Sequence, residues 1–218
     1  MFIGHWAPAL AAAAVSPRAP KLGTLFIAAQ LVDWGFAVFA LLGIEKMRIV
    51  PGITVMNPMD LYHMPFTHSL LGTLGWAAAF AALIFAFSRD KQAALVGGAV
   101  VISHWVLDLL VHRPDLTLAG GGPKLGFGLW NYPAIEIPLE LAITFGALFW
   151  YHKRTRGPVG PVLVLGAVLF LFQMISWFGP QPTVIGPALF IAGMAAFALI
   201  TLIAMWVGRT RKHLAARG

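Results

Sequence analysis

Three short motifs hold most of the residues in this chain that are capable of chemistry. HMPFTHS sets His63 and His68 five positions apart, SHWVLDLLVH spaces His104, Asp108 and His112 by four, and EIPLE spaces Glu136 and Glu140 by four. Residues four apart share one face of a helix, so both carboxylate-bearing pairs can converge on a single ion. His5 and Asp33 are isolated in otherwise apolar sequence. The chain has no cysteine, which excludes disulfides, thiolate metal sites and cysteine nucleophiles. Any metal must therefore be held by imidazole nitrogen and carboxylate oxygen. That donor set suits one or two divalent ions, zinc first, with manganese or iron also compatible.

The elements that must position these residues are membrane helices. With 59% hydrophobic and 11% charged residues, the chain lacks the polar side chains to cover a water-soluble surface. The formal charge of +7 comes from basic residues grouped in short connections and in the tail GRTRKHLAARG. Such grouping is a topology signal beside anionic headgroups, so the expected partner is the lipid bilayer and not nucleic acid. The Ala-rich start resembles a secretory signal, but no basic residue precedes its apolar core and Pro8 interrupts it, so it is expected to be retained.

Crossing roughly 30 Å of hydrocarbon takes about 20 helical residues. Six segments qualify, at about 22–44, 68–87, 92–111, 132–151, 160–178 and 186–207, separated by Gly- and Pro-rich breakers. The expected fold class is an all-α polytopic bundle forming a single membrane-embedded domain, 1–218. Within it 1–151 carries the site, and 152–218 supplies two apolar packing helices, nearly without polar groups except Gln173, and a basic tail. Arg18, Lys21, Arg89, Lys91, Lys153, Arg154, Arg156, Arg209, Arg211, Lys212 and Arg217 fall on one side, against Lys46, Arg48, Arg113 and Lys124 on the other. The first side is expected to be the cytoplasmic face of a bacterial inner membrane, with the C-terminus inside and the site opening outward. Residues 4–16 would make a helix of roughly 18 Å, too short to cross. They are expected to form a re-entrant half-helix that ends near mid-membrane with His5 at its buried end.

Helical rise converts sequence position into depth. Measured from the cytoplasmic surface at about 1.5 Å per residue, His5, Asp33, His104 and Glu140 all lie roughly 17–20 Å up, with Glu136 and Asp108 at roughly 23–26 Å and His68 at roughly 30 Å. Ionisable groups inside spans are costly and face a bundle interior or a wet cavity. Each has a plainer reading alone: a lone His can be a satisfied interhelical hydrogen-bonding residue, Asp33 can pair with a basic side chain or a histidine, and His63 can be a surface loop residue. Together, so many acids with only Arg113 and Lys124 nearby would repel one another unless a cation joined them or protons neutralised them.

GH near the N-terminus, an Asp within an apolar run, HMPFTHSLL and SHWVLDLL, in this order, resemble the bacterial inner-membrane-bound metal-dependent hydrolase family. The resemblance implies ligand positions at His5, Asp33, His63, His68, His104 and Asp108. The chain departs from the family pattern in keeping only Asp33 where the family has two acids, and in Met64-Pro65 where the family has Arg-Gly. A looser likeness to zinc-dependent phospholipases C implies a metal role for Glu136 and Glu140.

The expected function is a membrane-embedded, metal-dependent hydrolase of a lipid or lipid-linked phosphoester, using water activated by metal. Asp33, Asp108 or Glu140 would hold or deprotonate that water. Arg113, Lys124 and His112, around the Gly-rich outer loop, are the expected substrate-binding residues, while Thr67 and Ser69 cap the second span or orient His68. Two other classes fit the same residues: a transporter or permease moving protons or metal ions, and a non-catalytic lipid-binding protein with a structural metal.

Overall fold

The computed structural model describes residues 1–214; Arg217, counted above among the basic residues, lies outside the described residues. Among the described residues six helices are long and apolar enough to cross a membrane: α2 (Leu22–Leu41), α3 (Leu70–Ser88), α4 (Lys91–Val111), α5 (Pro133–Arg154), α6 (Gly160–Phe178) and α7 (Pro187–Thr210). A 3-10 turn at Ile3–Trp6 runs into α1 (Ala7–Val15), the predicted half-helix. The protein is a multi-pass, all-α membrane bundle.

The helix ends follow local chemistry. Ser69 caps α3 by accepting from the Gly72 N–H at 3.0 Å, and Asp90 caps α4 by accepting from Gln92 and Ala93 N–H at 2.8 and 3.2 Å. Proline opens α5, α6 and α7, where its missing N–H is no loss. Two small ladders appear where the sequence predicts only loops. β1 (Lys46–Ile49) pairs antiparallel with β2 (Met59–His63) at one end of the bundle, and β3 (Thr155–Arg156) pairs with β4 (Lys212–His213) at the other.

The half-helix α1 lies inside the bundle, packed along α5 and against α2 and α4; α3 packs on α4, α7 on α2, and α6 on α7, with only light contact between α6 and α5. Lipid tails are as apolar as the helices, so tight approach replaces hydrophobic drive between spans. Gly98 shows the closeness: a Cβ there would meet Ala81 Cβ at 3.3 Å and the Ala77 carbonyl oxygen at 3.4 Å.

Both ends of the half-helix are fastened. At its start, Glu140 Oε1 accepts from the N–H groups of Phe2 and Gly4 at 2.6 and 2.9 Å, and Gln173 Oε1 accepts from Ile3 N–H at 3.2 Å. These donors have no helical partner, and a carboxylate at this end also meets the favourable pole of the helix dipole. At its finish, Arg154 Nε and His213 Nε2 donate to the Ala14 carbonyl at 3.4 and 2.9 Å. Nearby, Gln92 Nε2 donates to Ser16 Oγ at 3.1 Å and Arg18 pairs with Asp90 at 3.0 Å. The end of α1, the start of α4, the end of α5 and the chain's tail thus share one basic end of the molecule. The hairpin lies at the opposite end.

Candidate metal centre

Five elements bring their polar groups to one point inside the bundle. The turn before α1 supplies His5, α2 supplies Asp33, the segment preceding α3 supplies His68, α4 supplies His104 and Asp108, and the residue after α4 is His112. Asp108 sits in the middle. Its Oδ1 faces His5 Nε2 at 3.0 Å and His112 Nε2 at 3.3 Å, while its Oδ2 faces His104 Nε2 at 3.2 Å and His68 Nε2 at 3.6 Å. Asp33 Oδ1 lies 3.2 Å from His68 Nε2 and 3.4 Å from His104 Nε2. Two overlapping sets, His5–His104–Asp108 and Asp33–His68–His104, are compact enough that each could hold a metal ion. Asp33 is the most open member, its side chain 23% exposed against 2% for Asp108.

The protons on three of these rings follow from what their other nitrogen touches. His104 Nδ1 lies 2.8 Å from the Ala29 carbonyl oxygen, which can only accept, so the proton sits on Nδ1. His112 Nδ1 likewise donates to Asp115 Oδ1 at 2.9 Å. His68 is fixed at one remove. Glu45 accepts through Oε1 from Phe66 and Thr67 N–H at 2.8 and 3.0 Å, and through Oε2 from the Thr67 hydroxyl at 2.5 Å. Having spent its proton on Glu45, the Thr67 hydroxyl accepts from His68 Nδ1 at 2.9 Å. All three Nε2 atoms are thereby aimed at carboxylate oxygens, and His104 Nε2 makes no hydrogen bond at all. Partners that fix ring tautomer in this way are the habitual support of ligating histidines.

An ion-paired cluster of imidazolium rings does not fit this geometry well. His5 and His104 stack face to face, with centroids 3.8 Å apart and planes 7° from parallel, so charging both would set like charges in contact. Neutral imidazoles leave lone pairs against carboxylate oxygens, which is unfavourable unless a cation lies between them. The donor set fits a divalent ion.

Other predicted residues stand elsewhere. His63 is exposed on β2, where the ladder pairs it with Lys46, and it does not join the cluster. Glu140 is at the expected height, but its oxygens are occupied by Phe2 and Gly4 N–H and by Gln173 Nε2 at 3.1 Å, so it anchors the half-helix and is not free to ligate. Glu136 is buried outside both ligand sets, and among the described residues neither of its oxygens has a hydrogen-bond partner. Arg113 pairs with Asp60, and Lys124 donates to the carbonyls of Tyr62 and Asp115 at 3.2 and 3.0 Å, so both expected headgroup contacts brace the loops instead. His112 belongs with the cluster and not with a separate substrate contact; the Trp130 ring is buried against it, with centroids 4.2 Å apart. Thr67 and Ser69 take the orienting and capping roles expected of them. Glu45 and Asp115 are missed by sequence reasoning. The only sequence signal is that each acid lies just beyond the end of a polar-bearing span.

The cluster forms the floor of a cavity of about 460 Å³. Its walls are apolar and aromatic, with Phe36, Trp130, Phe172, Phe190 and Phe197 among them. Residues from α6 and α7 make up much of this wall, so these helices shape the site and are more than the packing pair expected from their apolar sequence. On the basic-end side of the cluster, Trp6, Leu10, Leu25 and Phe26 are fully buried. No family model matches the chain, and comparison with curated proteins and with solved structures likewise gives no match.

Proposed function

We propose that the cluster holds a pair of divalent ions, zinc in the first instance, and that the protein is a membrane-embedded hydrolase of a lipid or lipid-linked phosphoester. The observation carrying this reading is the set of Nε2 atoms of His68, His104 and His112, each oriented through its Nδ1 and each aimed at a carboxylate oxygen. Asp108 has two imidazoles before each oxygen; with His5 and His104 it would form one ligand set, and Asp33, His68 and His104 would form the other, with His112 beside the first. Bound there, such ions supply Lewis acidity that makes water nucleophilic near neutral pH and stabilises charge developing on a phosphoryl oxygen. Asp33, the member most open to the cavity, would be placed to accept a proton from a water entering there. The apolar walls exclude bulk water and receive acyl or prenyl chains, which strengthens every electrostatic contact at the floor.

The basic end is then the cytoplasmic face of a bacterial inner membrane, and the cavity opens toward the outer side. The slight contact between α5 and α6 supports lateral entry of lipid. The motifs that resemble inner-membrane-bound metal-dependent hydrolases agree with this chemistry. The apolar plug of Trp6, Leu10, Leu25 and Phe26 favours it over passage of ions through the bundle.

Elemental analysis of the purified protein tests the reading. Wild type should retain about two equivalents of metal, and His104→Ala and Asp108→Ala should lose most of it; a wild type without stoichiometric metal overturns the proposal. Acyl-labelled phospholipids and polyprenyl phosphates then report turnover, and flux of zinc or protons in proteoliposomes without turnover would establish a permease instead.

A further inference from the structure

The cavity above the cluster is lined by no lysine or arginine among the described residues. The two nearest candidates, Arg113 and Lys124, are committed to Asp60 and to loop carbonyls. The positive charge that an anionic group meets in the cavity lies at the floor, where the Met1 ammonium also donates to Asp108 Oδ1 at 3.2 Å and so is not free for Glu136. One wall instead carries an acid. Glu136, one helical turn from Glu140 toward the hairpin end of α5, is 1% exposed, lines the cavity, and leaves both carboxyl oxygens without a hydrogen-bond donor. Leaving such a group unmatched costs more than a neutral orphan would.

Its neighbours do not fill the gap. Glu140 and Gln173 are bonded to each other and to the half-helix, and neither donates to Glu136. Glu136 also lies in the first turn of α5, where the helix dipole favours a negative charge. The wall facing this cavity is rich in aromatic rings, including Phe172, Trp177 and Phe197, which tolerate and attract a cation.

We propose that Glu136 is the seat of an ammonium group, and that the substrate is a zwitterionic aminolipid whose phosphate faces the His/Asp floor while its primary amine reaches Glu136. This rests on the hydrolase reading for the phosphate, but the amine contact belongs to Glu136 alone and does not need the ions. It also accounts for a cavity lined by no lysine or arginine among the described residues: the His/Asp floor takes the anion and the acid wall takes the cation.

The test is binding of acyl-labelled phosphatidylethanolamine and phosphatidylglycerol, with matched chains, to the full-length protein in mixed micelles, metal-loaded and metal-stripped. Wild type should prefer phosphatidylethanolamine at least about tenfold in both states. Glu136→Gln, nearly isosteric, should abolish the preference while keeping the wild-type metal content and unfolding temperature. Independently of any variant, N-acetylation of the amine should remove the advantage on wild type, and soluble phosphoethanolamine should compete at least about a hundredfold more weakly than the lipid. Equal binding of the two lipids by wild type, a preference that survives Glu136→Gln, or an unaffected N-acetyl lipid overturns the proposal. So does loss of metal in Glu136→Gln, which would make Glu136 a ligand, and so does equal competition by soluble phosphoethanolamine, which would make the ligand a water-soluble amine. Wild type that carries no stoichiometric metal as purified and yet prefers the amine refutes the hydrolase reading and leaves the ammonium seat standing.

Discussion

Thr67→Val exchanges a hydroxyl for a methyl at nearly constant volume, and the position is fully buried. That hydroxyl is the single link between Glu45, at 2.5 Å, and His68, at 2.9 Å. Removing it leaves Glu45 Oε2 without its O–H donor, although Phe66 and Thr67 N–H still hold the other oxygen. A hydrogen bond to a charged group contributes about 1.5–3 kcal/mol, so the fold should lose stability of that order and no more. The larger consequence is at His68, whose ring loses the acceptor that keeps its proton on Nδ1. Loss of such an outer partner weakens metal binding about 10- to 100-fold, equivalent to about 1.4–2.8 kcal/mol. Thr67→Ser keeps the hydroxyl and should restore affinity to within a few-fold. Competition against a chromophoric zinc chelator measures the affinity, with thermal unfolding run alongside. If Thr67→Val binds zinc within threefold of wild type while remaining folded, the hydroxyl does not orient a ligand and the relay from Glu45 is only structural.

Two further outcomes follow from features away from the relay. Glu140→Gln should loosen the half-helix by about 1–3 kcal/mol, because two backbone donors lose a charged acceptor; hydrogen exchange at Phe2 and Gly4 should accelerate, and the retained metal should fall toward the ion held by Asp33, His68 and His104. At the basic end, the Arg18 guanidinium beside Asp90, together with the N–H groups that Asp90 caps, lowers the pKa of its carboxyl. A depressed folded pKa gives stability that is present above the ordinary aspartate value of about 3.9 and is lost as pH falls through the folded value. Wild type should therefore lose thermal stability on acidification below about pH 4 more steeply than Asp90→Asn, and identical pH profiles would refute the pairing.

The depth of the site was legible in the sequence because a helix is a rigid ruler. His5, Asp33 and His104 come from three elements, and rise per residue alone brings them to one level. What the ruler does not report is azimuth. Glu140 has the right height, but it faces the backbone of the half-helix, where it answers unpaired N–H groups that no side-chain motif announces. His63 illustrates the opposite failure: its spacing from His68 suggested a common target, but the hairpin's ladder, invisible in a stretch full of Gly and Pro, turns it outward. Glu45 and Asp115 stayed hidden because each acts from irregular backbone, and an acid in a loop next to Lys46 or Arg113 has the pattern of an ordinary solvated charge. The apolar sequence of α6 and α7 is equally ambiguous, since a wall for lipid chains and a surface for helix packing call for the same residues.

The two-ended fastening of the half-helix bears on how the protein is made. Phe2 is held by a residue 138 positions later in the chain, an interval that takes a ribosome roughly 7–30 s to translate. Throughout that time the nascent N-terminal segment, too short to cross the bilayer by itself, has neither its carboxylate anchor nor its basic clasp. His5 therefore reaches the other side chains last. A chain stalled or truncated before α5 would lack the carboxylate that fastens the half-helix, so the cluster is completed only once synthesis has passed α5.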